Sequence, residues 1–406
     1  MCFVTVPHPL GMISKEEVNA KVDAAFDDIV KAATAWTPSK EKQDAQVKPY
    51  PAKRFKFSGT YADVNDMFQK RKWSLSLPIV PPTVDKVAAM LKGTKRNPAE
   101  VLWVVPPRQG MLTVELVAAL GVMAGAKPEH MPLLIATVEA MADPVAAWRG
   151  PTTTTAATVP VFFISGPIID KLKLNAGTGT AGGENPVTNA LGYFVNLVGD
   201  VVGGSVPPNF DKSTHGSSAD LVAMVFTENA KENPWKTTYA EEAGFKPGDS
   251  IVTHFSAYLG NANIDHDSKT GQRLLTTLST GLLGSASGLA SCLADYDATY
   301  AINNKVSFAF IVLCPEHAAT IAKDFPDQRA ARDFMRETAA MPYKFYSQET
   351  CVPGKDFGPY DENTFIPRFK KTESIKFFVS GGPGKQSQFW VPFPQVLKPV
   401  STKIAE

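Results

Sequence analysis

The chain has 406 residues and a formal net charge of +1, with 41 Lys and Arg against 40 Asp and Glu, so its overall charge carries no footprint of a nucleic-acid binder. Apolar residues make up 44% and charged residues 20%, as in ordinary globular proteins, and the length suits two or three domains better than one core. Four cysteines (Cys2, Cys292, Cys314 and Cys351) form no CxxC pair and match no zinc spacing, which excludes a disulfide scaffold and implies a reducing, cytoplasmic setting.

The N-terminus, MCFVTVPHPLGM, lacks the basic and apolar regions of a secretory signal, and no stretch approaches the roughly 20 apolar residues of a membrane span. Phe3 to Val6 reads as a short strand ended by Pro7 and Pro9. Ser14 then reads as a helix N-cap with Glu17 completing a capping box, and Val18, Val22, Phe26, Ile29 and Ala33 share one helical face. A lone strand cannot satisfy its edge groups, so this one is expected to join a sheet made elsewhere. Residues 37–82 open with a polar, Pro- and Lys-rich stretch, read as a linker or arm.

An α/β segment follows. Thr83 caps a predicted helix through Met90, and Val101 to Val105 reads as a buried strand. Two apolar helices are predicted over Thr113–Ala124 and Pro132–Met141. Val159 to Ser165 is a strand, followed by a short helix from Ile168 to Leu172, the glycine-rich NAGTGTAGG of 175–183 and a helix from Pro186 to Val198. Strands are expected at Leu221–Thr227, Ser250–Ala257, Phe308–Leu313 and Ile375–Ser380. Helices are expected at Leu274–Ala294, Pro315–Lys323 and Ala330–Ala340. The alternation favours an α/β fold of Rossmann-like mixed or parallel sheets covered by helices. The predicted divisions are a strand–helix segment over 1–36, the linker over 37–82, and α/β domains over 83–270 and 271–406. Strand–turn–helix units recur near 161, 309 and 375 without a clean internal repeat.

Several loops carry candidate chemistry. In NAGTGTAGG, the backbone of Gly177 and Gly179 can approach an anion, and Asn175, Thr178 and Thr180 can add side-chain hydrogen bonds. In SGGPGK, Gly381, Gly382 and Gly384 follow a strand and can form an amide nest with Lys385 supplying charge. Glu228, with Glu232 nearby, follows the strand 221–227 and is a candidate acid or base. In Cys314-Pro315-Glu316-His317, Cys314 is placed to cap a helix, where a thiol can be activated, and His317 lies one turn on. For each, a plain turn, cap or buried side chain is the competing reading. Asp265-His266-Asp267 and the Thr152–Thr155 run read as a polar loop and a β-type linker. No GxSxG elbow, HExxH helix or cofactor motif is present.

Six spaced segments together resemble one family: VPHPLG with its helix (6–33), TVELVAALGVMAGAKPEHMPLLIATVEAM (113–141), ISGPIIDKLKLNAGTG (164–179), FTENAKENPW (226–235), PEHAATIAKD (315–324) and SGGPGK (380–385). In this order they resemble the C-terminal region of UGSC-motif (seleno)proteins. The resemblance implies a Rossmann-like N-terminal domain bearing a UGSC or CGSC nucleophile, which this sequence does not contain. Threonines stand at 152–155 where the family pattern leads to Thr-Thr-His-Pro, and Cys314 stands where family members more often have another residue. The expectation is an oxidoreductase- or lyase-type enzyme subunit whose loops hold a small anionic substrate while a separate thiol- or selenol-bearing subunit supplies the nucleophile. The alternatives are a self-contained hydrolase or lyase using Glu228, His317 and Lys385, or a non-catalytic small-anion binder. No membrane or nucleic-acid partner is expected.

Overall fold

The computed structural model describes residues 4, 6–7, 13–35, 50–183, 185–206, 215–258, 260–284, 308–346, 361–393, 396 and 398–405. The chain divides into two compact units, 1–48 and 49–406. In the first, helix Lys15–Thr34 starts at a capping box: Ser14 Oγ accepts from the Glu17 N–H, and the Glu17 carboxylate accepts from the Ser14 N–H. Ala25 is its buried residue, while Val22, Phe26, Ile29 and Val30 are exposed. The predicted strand Phe3–Val6 lies partly outside the described residues; Val4 and Val6 are half-buried and take no part in a strand.

The second unit has mixed sheets. Its strands are β1 (Val101–Val105), β2 (Gly110–Thr113), β3 (Val159–Ser165), β4 (Met224–Thr227), β5 (Ile251–Ala257), β6 (Asn261–Ile264), β7 (Ala309–Leu313), β8 (Ala340–Pro342), β9 (Phe365–Pro367), β10 (Ile375–Val379), β11 (Gln386–Trp390) and β12 (Val400–Lys403). Two four-stranded sheets dominate, with orders β12-β5-β3-β4 and β10-β7-β11-β6. Each has one parallel pair, β3 with β4 and β7 with β10, and is otherwise antiparallel.

Strand alternation sorts the core into layers. Val161 and Phe163 of β3 face Phe310 and Val312 of β7 in one cluster between the sheets, where the Phe163 and Phe310 rings stack at 4.4 Å. Phe162 and Ile164 point the other way, into a core shared with helices Val114–Met123, Met131–Ala142 and Pro186–Asn196. Ile311 and Leu313 likewise join helices Gly271–Gly284, Pro315–Asp324 and Gln328–Thr338. The result is helices, sheet, sheet, helices. Strands buried on both faces read as continuous apolar runs, as VPVFFIS and AFIVL do.

The two sheets are built alike. In each, a first strand is followed by helices, a parallel partner and an antiparallel strand; the fourth strand then crosses to the edge of the other sheet. Thus β6 follows β5 but pairs with β11, while β12 follows β11 but pairs with β5. Register makes Ile164 equivalent to Leu313: each carbonyl accepts the first N–H after the parallel neighbour, from Glu228 at 2.9 Å and from Ser380 at 3.0 Å. The same register equates Glu228 with Ser380 and Ala257 with Pro392, and these two pairs are the bridges that tie the sheets together. Tyr258 N–H donates to Val391 O and Phe393 N–H to Ser256 O, a reciprocal pair that a local two-fold requires.

Three sequence readings differ from this architecture. Strand β1 is a half-exposed hairpin partner of β2, not a buried strand, because its outer face (Val101, Val104) is uncovered. Helix Tyr61–Lys70, with Thr60 and Asp63 as a capping box, forms inside the stretch read as linker. The exchange of β6 and β12 also joins the segments on either side of residue 270 into one layered body. The part of the predicted helix 274–294 beyond Gly284 lies outside the described residues.

Candidate functional site

The carboxyl ends of β4 and β10 meet at the Glu228–Ser380 bridge, and the loops that leave them gather the candidate residues. Strand-end loops are where α/β proteins place ligands. Gly381 N–H donates to Ala176 O at 2.9 Å, and Asn229 Nδ2 donates to Gly381 O at 3.0 Å. Ser380 Oγ donates to Thr227 O at 2.7 Å, and Thr227 Oγ1 donates to Asn175 O at 2.5 Å. The 175–183 and 380–385 loops are therefore stitched together through the end of β4. Contact is closest at Gly382, where a Cβ would stand 2.2 Å from Thr178 Oγ1 and 2.9 Å from Thr178 N. Only glycine fits there.

Within the glycine-rich loop, Asn175 folds over its own turn. Its Oδ1 accepts from Gly177 N–H at 2.9 Å, and its Nδ2 donates to Thr178 O at 2.7 Å. Gly179 takes φ +74°, in the left-handed region that glycine adopts without strain. Among the described residues, the N–H groups of Thr178, Gly179 and Gly382 have no protein acceptor. They are among several free donors of the interlocked loops, with Thr178 and Gly179 exposed.

The amide nest foreseen in SGGPGK exists and is filled from within the chain. Glu316 Oε2 accepts from Gly384 N–H at 2.6 Å and Lys385 N–H at 3.0 Å. The Gly384 hydrogen bond, helped by that of Lys385, holds the Glu316 carboxyl below its ordinary pKa, with burial opposing. Lys385 Nζ donates to His266 O at 3.0 Å.

His317 is 2% exposed. Its Nδ1 lies 2.8 Å from Ser387 Oγ and its Nε2 lies 3.1 Å from Asp265 O, so both ring nitrogens are engaged. Burial depresses its pKa, with the Asp265 carbonyl opposing. The Asp265 side chain accepts from Asp267 N–H, Ser268 N–H and Ser268 Oγ, which makes this stretch a self-capped turn. Among the described residues, no group of three or more His, Cys, Asp or Glu is placed to hold a metal ion. Cys314 does stand at the N-cap of its helix, but burial raises the thiol pKa, opposed chiefly by the His317 N–H. Cys2, Cys292 and Cys351 lie outside the described residues.

Glu228 is the most perturbed of the candidate carboxylates. It is 3% exposed; Ser165 Oγ donates to its Oε2, and Tyr239 N–H donates to its Oε1 at 2.7 Å. Burial pushes its pKa up to about 7, with the Ser165 and Tyr239 hydrogen bonds opposing. Ser165 in turn accepts from Ala240 N–H at 3.1 Å, so carboxylate and hydroxyl together cap the helical turn Tyr239–Glu242. Sequence reading passed over Ser165, although its place at the end of β3, before Gly166-Pro167, matches that of Cys314 between β7 and Pro315.

The structure thus brings Asn175, Gly177, Thr178, Gly179, Gly381, Gly382 and Glu228 around one junction. Gly384, Lys385 and His317 lie in an adjoining network centred on Glu316 and Asp265. No protein-family model matches the chain, and no curated protein sequence matches it.

Proposed function

We propose that this chain is the substrate-holding subunit of a two-component enzyme, and that a partner polypeptide supplies a thiol or selenol nucleophile. One observation carries the reading. The catalytic candidates of this chain are engaged within it, at both Glu228 oxygens, both His317 nitrogens and one N–H of the Lys385 ammonium, while main-chain N–H groups of the loops, those of Thr178, Gly179 and Gly382 among them, are free. Free main-chain donors suit binding of a small anion, and a chain whose side chains are spent on holding loops suits chemistry delivered from outside. The resemblance to the UGSC-motif family supports a thiol or selenol as the nucleophile.

The test is purification from the native source. A stoichiometric small partner with a CGSC-type motif is the expected result; full turnover by the purified single chain would overturn the proposal.

A self-contained hydrolase or lyase is the second reading, favoured by the Glu228 carboxyl, whose pKa of about 7 suits acid–base work at neutral pH. Turnover lost in Glu228→Gln with folding intact would select it.

A further inference from the structure

A cavity of about 490 Å³ opens in the second unit, lined by none of the residues of the candidate site. It lies where the turn after helix Met131–Ala142 passes β1, and its walls include Trp103, Met141, Pro144 and Trp148. The volume is that of a site for a small organic ligand.

Its aromatic wall is held in place before any ligand arrives. Trp148 is 4% exposed and meets Trp103 edge to face, with centroids 5.8 Å apart. Behind it lies the His254 ring, at 5.6 Å. The turn that carries Trp148 is fastened by threonines: Thr152 Oγ1 donates to Trp148 O at 2.8 Å, and Thr153 Oγ1 donates to Arg149 O at 2.7 Å. Ser205 Oγ closes the other side on Thr152 O at 2.7 Å. The half-buried Trp103 ring, backed by the buried Trp148, offers apolar area at low entropic cost.

The polar groups of the cavity are of both signs. Arg149 is exposed, and Asp143 is half-buried with its Oδ1 accepting from Val145 N–H. Among the described residues, neither charge is in an ion pair. Trp148 Nε1 is buried without an acceptor.

We propose that this cavity binds a small zwitterion of the amino-acid type with an apolar or aromatic side chain. Its ammonium pairs with Asp143, its carboxylate with Arg149, and its side chain lies in the Trp103–Trp148 corner. A purely anionic ligand would leave Asp143 repelling it, and a purely cationic one would meet Arg149. The apolar area of Trp103, Met141, Pro144 and Trp148 would be wasted on a ligand with no hydrocarbon body.

Titration calorimetry of the full chain with L-phenylalanine tests this. Phenylacetate, which lacks the ammonium, and phenethylamine, which lacks the carboxylate, should each bind about tenfold or more weakly than L-phenylalanine. Arg149→Gln and Asp143→Asn should each weaken L-phenylalanine by about tenfold or more. Asparagine keeps the Val145 N–H bonded, and Arg149 is exposed, so both variants should melt as the parent does. Absence of binding at millimolar L-phenylalanine overturns the proposal. So does an affinity unchanged in both variants, or glycine betaine binding where L-phenylalanine does not.

Discussion

Gly382 approaches Thr178 so closely that a methyl group on its Cα would stand 2.2 Å from the threonine hydroxyl and 2.9 Å from its main-chain nitrogen. The two residues come from opposite halves of the pseudo-symmetric unit, and their contact keeps the 175–183 and 380–385 loops interlocked.

Gly382→Ala should therefore force the loops apart, at a cost of about 1–3 kcal/mol, as for an overpacked contact. The melting temperature should fall, and hydrogen exchange should quicken across 175–183 before it quickens in β3. Adding Thr178→Gly to the same chain should restore part of the loss, because the hydroxyl is the nearest clashing atom; the main-chain contact keeps the rescue incomplete.

Glu316→Ala should uncover the amide nest. The N–H groups of Gly384 and Lys385 lose their acceptor, so their exchange should accelerate selectively. That nest should then take an external anion in place of the Glu316 carboxylate, read as a sulfate-dependent melting shift larger in the variant than in the parent.

Glu228 makes stability depend on pH in a defined direction. Its carboxyl titrates near 7 in the fold against an ordinary 4.5, so the folded state holds the proton more tightly. The stability this contributes is whole below pH 4.5 and disappears as pH rises through about 7, with an upper limit of about 3 kcal/mol. Glu228→Gln should flatten that slope, seen as a melting temperature less dependent on pH between 5 and 8 than the parent's. A parent-like slope in the variant would assign the titration to another group.

His254 acts in the opposite sense. Burial pushes its pKa down to about 3 from 6.5, with the Val161 carbonyl opposing, so its stability contribution is whole above pH 6.5 and is lost as pH falls toward 3. It stacks on Phe162 at 4.5 Å and occupies the position equivalent to Phe389. His254→Phe should relieve the acid loss, measured as a smaller fall in melting temperature between pH 7 and 4.

Much of this fold was legible in the sequence where periodicity and caps agree. The capping box at Ser14 and Glu17, the cap at Thr83, the apolar strands around 161 and 309 and the helices between them stand where their residues imply. Strands β6, β11 and β12 were not legible. NANI and QSQFW are polar and short, and they become strands because a sheet edge is offered to them. The recurrence near 161 and 309 was a trace of the real duplication, whereas the unit near 375 corresponds to the strand at 224. For the site, glycine content marked the loops that interlock. Their partners were hidden, because the acceptor that fills the nest, Glu316, comes from a helix 68 residues away.

The edge exchange between the sheets bears on how the protein is made. Strand β12, the last described element, closes the sheet that β3 begins at residue 159. A nascent chain emerging from the ribosome must extend from β3 through every strand to β12 before that first sheet has its outer strand. Long-range closure of this kind slows folding and prolongs the exposure of strand edges. Neither half, expressed alone, would own a complete set of strands, so a gene cut between β6 and β7 should give two insoluble fragments that recover only when produced together.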